Sequence, residues 1–351
     1  MLWLALLVLS SCSSWKQKDF EKSLEKTPEA APAITEEQAP ILEKFEVKDV
    51  EDSQVKPAPV VASKKPKALP VKKAPVKKTT QKKAPPKEKK IEEPAAPTLP
   101  ADYPPELVGI NEKAQRVWDV YKSNHHVGEK IYLDIHYLGM TVGKIMVTNK
   151  GKKMIDGKEV WQFHARFKSA PFYSNIYELD DTVDTYVTTD KFLSVKYTVI
   201  QRESKQNVDD IQLLDHEALK VYWLYQSKRK SDGKKKNKRE EKFIPYFSVD
   251  PFSSLFLYQG LPLTNGDIYE IPIVNKGKVL ILRSQVEGRE TIETETGVRK
   301  AIRLQATTKY TGDTLKSGDL TFWFSDDEKR TLLRARAKIS LGSVTADIVK
   351  E

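Results

Sequence analysis

Glu129-Lys130-Ile131-Tyr132-Leu133-Asp134-Ile135-His136-Tyr137 places apolar side chains at 131, 133, 135 and 137, with Tyr132, Asp134 and His136 between them. Successive Cβ atoms of a strand point to opposite faces, so a period of two makes one apolar face and one mixed face. The stretch therefore predicts a strand lying on a core. A turn around Gly139–Gly143, followed by Ile145 and Val147, makes it the first arm of a hairpin. Similar short runs recur at 160–167, 192–201, 210–214, 219–225, 268–274, 278–284, 299–308, 319–325, 331–339 and 343–349. Asn265-Gly266, Lys276-Gly277 and Leu341-Gly342 punctuate them, and only 251–258 interrupts with helical spacing. Strands do not alternate with long helices, which disfavours a doubly wound sheet. The expectation is a mainly β fold, an antiparallel β-barrel or deep half-barrel.

Upstream, Pro104-Pro105-Glu106 starts a predicted helix whose apolar stripe is Leu107, Ile110, Ala114, Val117, Trp118 and Tyr121. Before it, residues 13–100 hold few aromatics beyond Trp15, Phe20 and Phe45 and are dense in Pro, Ala, Lys, Val and Glu. Such a composition cannot bury enough apolar surface to offset the entropy of ordering. Degenerate Lys-Lys-Ala-Pro units at Lys72–Pro75 and Lys82–Pro85 mark a spacer. In a polyproline II conformation, roughly 75 such residues reach on the order of 230 Å, against about 50 Å for a flexible coil.

The charge of the 351-residue chain is uneven. Lys56–Lys90 holds thirteen lysines against Glu88, a local net of +12 within an overall +10, so the remainder is at −2. A near-neutral folded part lacks the basic footprint of a nucleic-acid-binding domain. The lysines instead suit a solubilising spacer or contact with an anionic cell-wall polymer or lipopolysaccharide.

At the start, Leu9-Ser10-Ser11-Cys12 closes an apolar run and resembles the lipobox of bacterial lipoproteins. The core Leu2–Leu9 is too short to cross a ~30 Å hydrocarbon layer, so it reads as a signal peptide. The resemblance implies cleavage before Cys12 and a lipid on that residue, with Ser13 directing it to the outer membrane. Cys12 is also the only cysteine, so the fold must rest on its apolar core without an intramolecular disulfide. The division expected is 1–11 signal peptide, 12–100 lipidated disordered spacer and 101–351 β-rich domain.

Signals for chemistry are sparse. The sequence has no nucleophile elbow, no phosphate-cradling loop and no His-Glu-x-x-His helix. Ser227-x-x-Lys230 lies in a lysine-rich stretch where such a match is cheap. His125-His126 with Glu129 offers metal ligands in principle, but adjacent histidines on an extended chain point apart, so surface histidines are expected. Asp180, Asp181 and Asp184 could do acid–base work, yet read more simply as a solvated turn. Arg229–Lys242 reads as a long exposed hairpin loop. The aromatic load of the strands, including Trp161, Phe163, Phe322 and Phe324, predicts a concave apolar surface that encloses a ligand.

Asp250-Pro251-Phe252-Ser253-Ser254-Leu255 with Leu261-Pro262-Leu263, and Phe322-Trp323-Phe324-Ser325-Asp326 with Arg330, resemble exported bacterial proteins of domain-of-unknown-function family 3108. The first segment is similar to the family's Asp-x-x-Ser helix and the second to its aromatic terminal strand, over roughly residues 126–350. The resemblance implies a β-rich periplasmic domain and singles out Asp250, Ser254, Trp323, Ser325, Asp326 and Arg330. It implies no cofactor. Asp250 is placed to cap the short helix, and Ser325 or Asp326 to set the turn after the Trp323 strand. The functional expectation is non-catalytic binding of a lipid, glycan or envelope protein. The alternatives are a structural tether between membrane and wall, or an envelope hydrolase using Asp180, Asp181 or Asp184.

Overall fold

A computed structural model describes residues 39–50, 98–310, 320–339 and 341–350. The described elements belong to one unit, Met1–Val50 with Pro97–Glu351. In chain order they are helix α1 (Ala39–Lys44), strand β1 (Lys48–Asp49), helix α2 (Pro105–Trp118), β2 (Lys130–Tyr137), β3 (Met140–Ile155) and β4 (Lys158–Ser169). Short helix α3 (Pro171–Ser174) precedes β5 (Asp180–Thr188), β6 (Ser194–Arg202), β7 (Gln206–Asp215), β8 (Lys220–Arg229) and β9 (Lys235–Phe243). Helix α4 (Ser253–Leu257) and a 3-10 turn (Tyr258–Gly260) lead into β10 (Ile268–Asn275), β11 (Lys278–Thr294), β12 (Gly297–Tyr310), β13 (Leu320–Ser325), β14 (Leu332–Lys338) and β15 (Ser343–Val349).

Every one of these strands joins a single antiparallel sheet in the order β10-β11-β12-β13-β14-β15-β2-β3-β4-β5-β6-β7-β8-β9, with β1 added on β3. Neighbours in sequence are neighbours in space, and β15 returns to pair with β2. The sheet curls without closing: β9 and β10 are its two edges, so of the two expected forms the unclosed barrel is the one adopted. The edge of β10 is met by Val249, whose N–H donates to the Pro272 carbonyl (3.1 Å) and whose carbonyl accepts from the Val274 N–H (2.8 Å).

Period two sorts the side chains. On β4, Trp161, Phe163 and Ala165 enter the main core, while Val160 joins a separate cluster on the other face. Helix α2 starts with Pro105 in its first turn, where a missing N–H costs nothing, and buries Leu107, Ala114, Val117 and Trp118. The concave face is filled by the chain's own residues 246–263, a strap containing α4 and the 3-10 turn. Val249, Leu257, Tyr258 and Leu263 are fully buried there. Phe256 stacks on Phe163 with centroids 4.2 Å apart, and Tyr258 lies 5.6 Å from Phe324. The rings expected to surround a ligand thus meet this strap. Gly260 is required where the strap passes beneath the segment after α2: a Cβ there would lie 2.2 Å from the Tyr121 ring and 2.5 Å from the Lys122 carbonyl oxygen.

Three expectations need correction. Asp180, Asp181 and Asp184, expected in a solvated turn, lie on β5, an interior strand paired on both sides. Most of the expected loop 229–242 is β9, an edge strand whose charges face solvent. Part of the expected disordered spacer, residues 39–49, lies against the sheet: Phe45 is 2 % exposed beside Ile155, Val160, Tyr186, Val195 and Leu213, and Lys48 pairs with Met154. An apolar patch on that face explains the last case, since Ile155, Val160, Val195 and Leu213 would otherwise face water. The clip α1–β1 covers them.

Candidate functional site

The most connected buried polar group is Asp250, at the start of the strap. Its Oδ1 accepts the N–H groups of Phe252 and Ser253, both at 2.9 Å, which caps α4. Its Oδ2 accepts the Ser194 hydroxyl (2.7 Å) and the Thr185 hydroxyl. Ser194 Oγ also accepts the Asp250 N–H (2.8 Å) and meets Ser253 Oγ (2.9 Å). Burial pushes this carboxyl up, and the donors from Thr185, Ser253 and Ser194 oppose the shift. The cluster ties the strap to β5 and β6. His216, wholly buried, adds a second tie, with its ring nitrogens 2.7 Å from the carbonyl oxygens of Tyr246 and Ser194.

Of the remaining residues singled out by sequence, Ser254 lies beside Asp250, whose carbonyl accepts its N–H (3.1 Å), and the others lie elsewhere. Ser254 is buried and donates to the Pro251 carbonyl (2.8 Å). The turn after β13 is set by Ser325 with Asp327 and not by Asp326: the Ser325 hydroxyl donates to Asp327 Oδ1 (2.7 Å) and accepts the Thr331 N–H (2.8 Å). Asp326 instead pairs with Arg289 (3.2 Å) and Arg330 (3.8 Å), and Arg330 donates to the Pro262 carbonyl (3.2 Å) at the end of the strap. Trp323 donates to Glu290 (2.5 Å) and lies under the guanidinium carbons of Arg303, Arg334 and Arg336, at 5.8, 5.8 and 5.4 Å. Trp323, Ser325, Asp326 and Arg330 do not converge with Asp250 on one cleft.

The three carboxylates of β5 are held apart by the pleat. Asp180 pairs with the buried Arg166, and Asp184 accepts from Gln162 (2.8 Å) and meets His164 Nδ1 (3.0 Å). Asp181 points the other way and accepts the Arg202 N–H (2.9 Å) and the Gln201 amide (3.3 Å). Burial raises the Asp181 carboxyl to about 6, and Glu203 adds to the shift. A folded-state value above the unfolded one means the neutral form is retained by folding. Its stabilisation is full below about pH 4 and is lost as the pH rises through about 6. Asp181→Asn, which cannot ionise, is therefore expected to gain on the wild type by about 1–3 kcal/mol between pH 4.5 and pH 7.5 in paired thermal melts. Equal differences at both pH values would rule this out.

His125 is not the surface residue expected from sequence. Its Nδ1 lies 3.0 Å from Gln259 Oε1 on the strap, its Nε2 lies 2.9 Å from the Tyr121 hydroxyl, and the ring stacks on Phe192 at 4.9 Å. The partners fix a neutral ring protonated at Nδ1, and burial pushes its pKa down to about 4. His126 is exposed. Cys12 and Lys56–Lys90 lie outside the described residues. Thr185, Ser194 and His216 had no sequence signal of their own; the one clue was that a buried Asp250 must find donors.

A family model described as "Protein of unknown function (DUF3108)" matches residues 133–349. No curated protein matches the chain. The crystal structure of a β-barrel-like protein of domain of unknown function DUF1849 from Brucella abortus shares 10% identity, covering 64% of this chain and 96% of that one, with a TM-score of 0.42. The lipoprotein LppX from Mycobacterium tuberculosis shares 12% identity, covering 70% of this chain and 93% of its own, with a TM-score of 0.19.

Proposed function

The chain belongs to the DUF3108 family, and from that premise we propose that it is a lipid-anchored envelope protein carrying a non-catalytic binding domain. In this reading Cys12 holds the protein in the outer membrane facing the periplasm, and the Lys/Pro-rich spacer sets the reach of the β-rich domain. The observation that carries the non-catalytic part is the dispersal of the acids. Asp180 and Asp184 engage Arg166 and His164, Asp181 engages Gln201 and the Arg202 backbone, and Asp250 is wholly enclosed by donors. Hydrolysis by a carboxylate pair, as in most glycosidases, needs two such groups converging on a substrate, and this arrangement speaks against it. A partner is left the outer surfaces and rims, because the strap occupies the concave face. The thirteen lysines of Lys56–Lys90 favour a second, compatible reading, a tether holding an anionic wall polymer or lipopolysaccharide by counterion release.

The anchor is tested in cells. Wild-type protein should incorporate radiolabelled palmitate and fractionate with the outer membrane. Cys12→Ser should remain a precursor without label. Unchanged labelling of the variant would remove the anchor from the proposal.

A further inference from the structure

One end of the sheet combines two kinds of surface. The turns β2–β3 and β14–β15 and the loop β4–β5 present Leu138 (57 % exposed), Leu341 (59 %), Phe172 (37 %) and Ile176 (50 %) to solvent. Contacts between the loops make these neighbours. The Tyr137 hydroxyl donates to the Leu341 carbonyl (3.1 Å), and Leu138 lies against Gly342. The Tyr173 hydroxyl reaches Met140 Sδ (3.2 Å). The same rim continues into cationic loops. Ser204 N–H donates to the Glu178 carbonyl (3.0 Å), Lys205 Nζ lies 5.9 Å from the Tyr177 ring centre, and the Lys230 N–H donates to the Lys205 carbonyl (2.9 Å). Beyond it stands the β8–β9 hairpin, where residues 228–239 are exposed and hold eight Lys and Arg against Asp232. Glu178, Glu203 and Asp180 at the start of β5 are also acids of this rim; the Tyr177 hydroxyl donates to Glu203 (2.5 Å) and Asp180 pairs with Arg166.

Simpler accounts cover only part of this. Lone exposed apolar residues are normal on protein surfaces. Lysines also protect an edge strand such as β9 from pairing with other chains. Edge protection does not explain apolar tips on three adjoining loops. Nor does it explain Leu138, which sits at φ 49 in a tight turn where Asn or Gly is at ease. That conformation is strained for a residue with a Cβ, and the side chain remains 57 % exposed. A soluble polyanion would satisfy the lysines but offers no apolar layer to Leu, Phe and Ile. A bilayer offers both, since interfacial sites seat apolar groups at the headgroup–acyl boundary and place cations on lipid phosphates.

We propose that this end of the sheet docks on a lipid bilayer bearing anionic headgroups, through apolar tips Leu138, Phe172, Ile176 and Leu341 and the basic β8–β9 hairpin. The docking goes beyond the anchor at Cys12. The anchor fixes how far the domain can travel, and the rim fixes which end faces the membrane.

The full-length chain with Cys12→Ser has neither lipid nor thiol, so one new cysteine reports one place. Leu138→Cys carries an environment-sensitive fluorophore, and Val298→Cys, 69 % exposed at the opposite end at the start of β12, is the control. With vesicles of mixed phosphatidylglycerol and phosphatidylcholine, emission at 138 should rise severalfold and shift to the blue, while emission at 298 stays near its aqueous value. Adding Phe172→Ser and Ile176→Ser should reduce the response at 138. The spacer lysines can bring the chain to vesicles by themselves, so co-sedimentation with no change at 138, or with equal changes at 138 and 298, overturns the docking. An equal response to pure phosphatidylcholine removes the anionic requirement and overturns the proposal as stated. A response to glycerol phosphate without vesicles assigns the rim to free phosphate and also overturns it. None of these outcomes alters the palmitate result, so the anchor and the rim fail separately.

Discussion

Replacing Asp250 with alanine is expected to lower the stability of the domain by about 3–5 kcal/mol, a loss of the size seen when a buried, hydrogen-bonded charge network is broken. The carboxylate answers two backbone N–H groups of α4 and the hydroxyls of Ser194 and Thr185 at once. Alanine leaves these donors in a cavity closed to water. The same side chain caps the helix and ties the strap to β5 and β6, so both links weaken together. Asp250→Asn keeps one oxygen for the Phe252 and Ser253 N–H groups but presents an amide nitrogen to the hydroxyls, and an intermediate loss is expected. Ser194→Ala, which removes one acceptor and one donor from the cluster, should cost less than Asp250→Ala. Urea denaturation measures all three, with an unchanged m-value indicating the same folded state. An alanine variant within about 1 kcal/mol of wild type would show that apolar burial alone seats the strap.

Phe45→Ala is expected to be the second costly change, at about 3–5 kcal/mol for a buried aromatic truncated in place. Here the loss has a ceiling. The clip is one short helix and one two-residue strand, and it can leave the sheet as a unit; the cost cannot exceed the free energy with which it docks. Its other attachments include Lys44 to Asp215 (2.6 Å) and Asp156 (3.6 Å), Lys196 to the Phe45 carbonyl (3.1 Å), the ion pair of Asp49 with Lys153 and the pairing of Lys48 with Met154. Loss at the ceiling has a signature: amides of 45–49 exchange freely while those of β4 and β5 remain protected. A chain beginning at residue 101 should likewise melt below one beginning at residue 39. Equal melting temperatures would mean that the clip adds no stability to the sheet.

How much of this was legible in the sequence depended on where each strand's partners lie. Strand β2 was plain because Ile131 and Leu133 meet the core while Asp134 meets Lys144 (2.6 Å). Strand β5 was hidden because acids and threonines are interspersed on both faces, and only Val183 and Val187 of one row reach the main core. Its Asp180, Thr182 and Asp184 row faces Arg166 and His164, and its Asp181 and Thr185 row faces Gln201 and Asp250. The apolar signal of Val183 and Val187 was diluted by polar groups whose partners are far away in sequence. Strand β9 was hidden for the opposite reason: an edge strand exposed along nearly all its length has no apolar face to alternate. Phe45 was a single apolar residue in a spacer-like composition, and the patch it covers is assembled from β3, β4, β5, β6 and β7. The helix cap at Asp250 was readable locally; the hydroxyls of Thr185 and Ser194, some sixty residues away, were not.

The pairing of β15 with β2 makes the order of synthesis matter. Tyr137 and Val344 face each other across this ladder, so the free edge of β2 must wait through roughly 200 residues of elongation for its last neighbour. A nascent ribbon with an unfinished edge invites pairing with other chains. The edge carries its own gatekeeper. Asp134 stands in the middle of β2, opposite Asp347 of the strand that will complete it, and two such acids repel when brought face to face. They are tolerated only because each arrives with a cation, Lys144 on β3 for Asp134 and Arg334 on β14 for Asp347. A stranger strand without its own cation would meet that acid unescorted. The strand delivered last by the same polypeptide brings the counter-charge with it, so this seam is specified by charge as well as by shape.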